Sequence, residues 1–195
     1  MDKEIRNINL ENINIESKED ECILKGYVNK YNTRSQDLGG FYEEIRQGAF
    51  EDSLSKNNIL ALYGHDYNKP LGRINSNLQL RSDDTGLYFE LRINPNVSWA
   101  KDTYELVKDG VLQGMSFGFR CVEDDWTEEN DGMFLRSINK LDLFEISVVS
   151  SPAYLDSSVS CRSFDEHKAE AKKIKEFEEL RKFLELQEIE NELYK

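Results

Sequence analysis

Apolar positions along the first 160 or so residues come in short alternating runs broken by turn residues. Ile13 and Ile15, then Ser17-Lys18-Glu19-Asp20, then residues 22–31 predict a strand, a turn and a strand. Leu78 and Leu80, the turn Asp83-Asp84-Thr85-Gly86, and residues 87–93 predict a second hairpin. Residues 111–122 and 134–149 add further strands, separated by a polar stretch over 123–131. Two helices interrupt them. One is expected over 48–56, with Phe50 and Leu54 four apart. The other spans 98–109, with Asn96 or Ser98 as its N-cap and Gly110 closing it. Short strands at this spacing point to a mainly β protein with helices, built as a barrel or sandwich.

The pattern changes after Arg162. Residues 163–195 contain no Gly or Pro and are dense in Glu and Lys. Ile174, Phe177, Leu180 and Leu184 recur at helical spacing, and Glu178 with Lys182 forms an i,i+4 pair. The expectation is a body, 1–162, and a long amphipathic C-terminal helix, 163–195. That helix either packs on its own domain or serves as a partner-binding arm. Its Ser-rich joint favours an arm that projects, with its apolar stripe against a second copy or another protein.

Composition narrows the function classes. With 195 residues, 38% of them hydrophobic, the chain can bury a sizeable core. A net charge of -13 argues against binding phosphate backbones or anionic lipid, so neither nucleic acid nor membrane is an expected partner. Cys22, Cys121 and Cys161 are odd in number and far apart, the pattern of reduced thiols in a cytosolic compartment. With two histidines and no Cys/His cluster, no structural zinc site is expected.

Three residues stand out for chemistry. Gly114-Met115-Ser116-Phe117-Gly118 matches G-x-S-x-G, a pattern shared by nucleophile elbows and by ordinary packing glycines. An elbow has a helix after its Ser. Here Phe117, Phe119 and Cys121 keep a period of two, so strand runs through Ser116. Ser116 then lies on the less apolar face with a glycine on each side, leaving room for a substrate backbone. His65, in Tyr63-Gly64-His65-Asp66, is the only histidine of the body, and imidazole suits a general base near neutral pH. Glu145 sits within Leu143-Phe144-Glu145-Ile146-Ser147-Val148-Val149. Phe144, Ile146 and Val148 read as its core face, with Glu145 and Ser147 opposite. A carboxylate in so apolar a strand needs a partner, and an imidazole would supply one. Asp142, nearer the strand start, is the rival acid. Each residue also has a purely structural reading: a packed strand serine, a satisfied histidine, a salt-bridged glutamate.

The ordered set of segments resembles the phage prohead (capsid-maturation) serine proteases. It runs through Gly26-Tyr27-Val28, Phe41-Tyr42-Glu43-Glu44, Gly48-Ala49-Phe50, Gly64-His65-Asp66, Leu71-Gly72-Arg73 and Gly86-Leu87-Tyr88. It ends with Gly114 to Phe119 and Leu143 to Ala153. That family is in turn similar to the herpesvirus assemblin proteases. The resemblance implies a closed or partly closed antiparallel β-barrel ringed by helices, with Ser116 as nucleophile, His65 as base, Glu145 as third member, and no metal or organic cofactor. It implies a serine endopeptidase that trims the scaffolding segment of the major capsid protein, and itself, inside the assembling prohead in the host cytoplasm. Dimerisation or confinement would switch it on, and the loop 150–153 would contribute to the oxyanion hole. Two other readings stay open at this stage: a non-catalytic scaffold-binding module and an α/β-hydrolase esterase.

Overall fold

Ten strands and two short helices make up the body of the computed structural model. It describes residues 3–9, 14–18, 21–129 and 132–150, and within the tail residues 169, 172–174, 176–177 and 179–182. In chain order the elements are β1 (Glu4–Asn9), β2 (Asn14–Lys18), β3 (Glu21–Lys30), β4 (Phe41–Ile45), α1 (Glu51–Lys56), β5 (Leu60–Tyr63), β6 (Asp66–Arg73), β7 (Leu78–Ser82), β8 (Gly86–Ile93), α2 (Ser98–Lys108), β9 (Gly114–Glu128) and β10 (Phe134–Val149). The chain divides into two units, Met1–Ser157 and Ser158–Lys195.

Six strands form one sheet in the order β1-β9-β10-β5-β6, with β4 paired to the far part of β10. The other sheet runs β2-β3-β8-β7. Both expected hairpins are present, β2–β3 and β7–β8. The 16 residues of β10 form the spine of the first sheet. They lie antiparallel to β9, and parallel to β4 at one end and to β5 at the other. The polar stretch expected after residue 122 is mostly strand, because β9 continues to Glu128 along β10. Backbone pairing there overrides side-chain polarity, as it can on a solvated face.

The inner faces of both sheets share one core. Leu24 and Val28 of β3, Leu87, Phe89 and Leu91 of β8, and Met115, Phe117 and Phe119 of β9 are buried in it. Each such large apolar side chain contributes roughly 1.5–3 kcal/mol by leaving water. Helix α2 adds Ala100, Thr103, Tyr104 and Val107, spaced as one helical face. It ends at Gly110, whose φ of +71° closes the helix as expected. Val97, not Asn96 or Ser98, stands at its N-cap, and no side chain caps it. The first helix is shorter than expected: Gly48 turns at φ +89°, and α1 begins only at Glu51.

The expected barrel ringed by helices, with a long C-terminal helix, is not what folds. The six-stranded sheet is a curled half-barrel whose ends, β1 and β6, do not pair with each other. Two helices of 6 and 11 residues cannot ring it. In the second unit helix is described only at 169, 172–174, 176–177 and 179–182, and a long C-terminal helix is not seen. Ile174, Phe177 and Leu180 are exposed there. An isolated helix has little stability in water without a partner for its stripe, which is the physical reason the periodic pattern alone does not secure one. Leu184 and Cys161 lie outside the described residues.

Candidate active site

The β5–β6 hairpin turns on two residues, Gly64 and His65, between the paired Tyr63 and Asp66. Both have positive φ, +58° and +63°, which a two-residue hairpin of this kind requires. Glycine adopts that conformation freely. For His65 it stores a small strain, which the surroundings must hold. They do so through β10: Gly64 N–H donates to the Val148 carbonyl at 3.0 Å, and His65 N–H donates to Ser147 Oγ at 3.1 Å.

The imidazole then meets Glu145, with His65 Nδ1 2.9 Å from Glu145 Oε1. The same carboxylate accepts a bond from Ser147 Oγ on Oε2 at 2.7 Å, and Lys3 Nζ lies 3.2 Å from Oε1. Glu145 is fully buried. Burial opposes its ionisation most strongly. Hydrogen bonds from His65 and Ser147, with the charges of His65 and Lys3, outweigh it and hold the carboxyl below its ordinary value. An ionised Oε1 can only accept, so Nδ1 carries a proton. Nε2 is buried and has no hydrogen-bond partner among the described residues.

A register shift between Leu143 and Glu145 aims this carboxylate. Leu143 pairs with Phe119 and Glu145 with Gly118, so Phe144 is the extra residue of a bulge. Phe144 was expected in the core. The bulge turns it into a groove of about 520 Å³ beyond Gly118, lined also by Leu60, Tyr67, Arg120 and Leu143. Leu141, Leu143, Ile146 and Val148 supply the buried face instead. Asp142 is ion-paired with Arg120 and does not meet His65.

Ser116 is the cross-strand partner of Ser147, two residues along from the Glu145–Gly118 pair and so on the same face. Phe117 and Phe119 stack beneath it in the core, their rings 5.2 Å apart. Ser116 is fully buried, and its Oγ donates to the Arg6 carbonyl of β1 at 2.8 Å. The structure thus joins His65 to Glu145 directly and sets Ser116 two rungs away on the same face, without a Ser116–His65 hydrogen bond. Cys121 is no rival nucleophile, since burial pushes its thiol up to about 12. Of the loop 150–153, residues 151–153 lie outside the described residues.

Sequence reasoning did not find Ser147 or Lys3. Ser147 shares the Glu145 face by its i,i+2 spacing, a signal that could have marked it as the carboxylate's second partner. For Lys3 no signal exists, because only the fold of β1 brings it here.

Gly118 has a structural duty. A Cβ there would lie 2.2 Å from Glu145 Oε1 and 2.4 Å from Lys3 Cε. Gly118→Ala is expected to push the carboxylate off His65 and to lower kcat/KM about 100-fold, the cost of a misplacement near 1 Å. Peptide-cleavage kinetics beside a thermal melt check this; unchanged kinetics would mean that Glu145 does not orient His65.

A family model described as Caudovirus prohead serine protease matches residues 9–170. The prohead protease of Escherichia phage T5 is 35% identical over 153 residues, covering 76% of this chain and 67% of that protein. The prohead protease of Enterobacteria phage HK97 is 31% identical over 134 residues, covering 67% of this chain and 56% of that protein. The solved capsid assembly protease of bacteriophage T4 aligns at a TM-score of 0.48 and 12% identity, over 75% of this chain and 95% of that one, a likeness too slight to argue from.

Proposed function

The chain belongs to the caudovirus prohead serine protease family, proteases of phage head maturation, and we propose that Ser116, His65 and Glu145 form its catalytic triad. The observation that carries this reading is the buried, ionised Glu145 held on His65 Nδ1, which leaves Nε2 free to take a proton. Ser116 attacks the scissile carbonyl carbon, and Nε2 accepts the Oγ proton. The tetrahedral intermediate collapses with expulsion of the amine, which takes that proton from Nε2. Water then hydrolyses the acyl-enzyme by the same proton route. Glu145 stays ionised and balances the imidazolium, while Ser147 fixes both Glu145 and the His65 backbone.

The substrate in this reading is the major capsid protein with its scaffolding segment, together with the protease itself. The site of action is the assembling prohead in the host, and a homodimer is one route to activation at high local concentration. The test is incubation of the chain with its phage's capsid protein, read by intact mass, beside labelling with a serine-reactive fluorophosphonate. Discrete capsid cleavage and a single adduct on Ser116 are expected. An adduct elsewhere, or cleavage that persists when Ser116 is blocked, would overturn the assignment.

A further inference from the structure

The nucleophile strand is covered on both sides. Along one side β9 is bound to β10 from Gly114 to Glu128, the pairing that carries Glu145 and Ser147. Along the other, among the described residues, it is bound only to β1, over Gly114 to Phe119. A protease must hold its substrate extended beside the nucleophile, and adding a strand to a sheet edge is the standard way to do so. Only the β1 side can be given up without dismantling the site.

What β1 does there imitates a bound peptide. It lies antiparallel to β9 with Asn7 opposite Ser116, and the Arg6 carbonyl oxygen is 2.8 Å from Ser116 Oγ. Lys3 continues over Gly118, where its Cε fills the space left by the missing side chain, and its ammonium shares Glu145 Oε1 with His65. Lys3 also lies 3.2 Å from Tyr67 Oη, at the wall of the groove beyond Gly118.

We propose that residues 3–9 are an intramolecular substrate mimic, occupying the strand-docking edge of β9 that a polypeptide substrate takes by displacing them. This rests on the protease reading above and adds the mode of substrate binding. The charges fit an exchangeable strand. On the side away from Ser116, β1 brings one acid and one base, Glu4 and Arg6, to a buried cluster with Glu43 and Arg136. Their departure removes no net charge and leaves Arg136 on Glu43 and Asp124. A substrate segment with an acidic and a basic residue two apart restores the same contacts.

The test uses the full chain with Ile5→Pro. Ile5 is partly exposed and pairs with Gly118, and proline there removes a strand donor. Two readings are taken: the rate at which a fluorophosphonate labels Ser116, and hydrogen exchange over residues 3–9. Faster exchange with at least tenfold faster labelling is expected, and a free peptide of residues 3–9 should slow the labelling again. Released β1 with Ser116 labelled, but no faster than in the parent, overturns the proposal. If Ile5→Pro leaves β1 in place, Arg6→Glu, which sets another carboxylate against Glu43, is read by the same two measurements. A chain whose Ser116 is never labelled, even with β1 released, would overturn the protease reading instead, so the two failures are distinct.

Discussion

Ser116→Ala is expected to lower capsid cleavage by roughly 10⁴- to 10⁶-fold while leaving a folded protein. The chemical loss is large because the remaining pair, His65 and Glu145, then has no nucleophile to deprotonate, and only binding and any oxyanion donors still favour the reaction. The structural loss is small. Ser116 Oγ makes one hydrogen bond, to the Arg6 carbonyl, and losing it costs about 1 kcal/mol. Cleavage followed by intact mass, together with a thermal melt, separates the two effects. Cleavage within tenfold of the parent would remove Ser116 from the mechanism.

The largest effect on stability is expected at Arg136, far along β10 from Glu145. Its guanidinium is buried and bonds Glu4 Oε2 at 2.7 Å, Glu43 Oε2 at 3.1 Å and Asp124 Oδ2 at 2.5 Å. Burial works against its charge most strongly, but the two glutamates outweigh it and raise its pKa. Arg136→Ala leaves Glu4 and Glu43 to Arg6 alone and takes from Asp124 the guanidinium it bonds. Breaking a buried ionic group by removing one member costs about 3–5 kcal/mol, a large share of the 5–15 kcal/mol typical of a domain. A denaturant midpoint that falls accordingly is the expected result. Restoring charge balance with Glu43→Gln in the same chain should recover part of it; an unchanged midpoint for Arg136→Ala would show that the cluster does not hold the sheet.

Local pattern carried much of this structure, and long-range pairing carried the rest. The two hairpins, the α2 helix with its Gly110 stop and the strand through Ser116 follow from period and turn chemistry, which are properties of neighbouring residues. His65 and Glu145 were legible because each was chemically isolated: a lone imidazole, and a lone carboxylate in an apolar run. The bulge at Phe144 was not legible, since it depends on the register of β10 against β9. Nor was β1. Its Glu4 and Arg6 look like surface charge in an Asn-rich stretch, and only partners from residues 43 and 136 make them interior residues. Closure of the barrel also depends on whether the two end strands meet, which no local feature of either strand reports.

The order in which the site's parts leave the ribosome follows from β10 being the spine. His65 and the β5–β6 hairpin are made first, and Glu145 follows 80 residues later. At 5–20 residues per second that interval is roughly 4–16 s. Until β10 emerges, β5 lacks its parallel neighbour, β9 its longer antiparallel neighbour, and His65 the Glu145 and Ser147 that hold its ring and its turn. A nascent chain therefore carries the proposed base without its proposed acid while 80 of its 195 residues are added, and host proteins near the ribosome meet a peptidase that is not yet assembled.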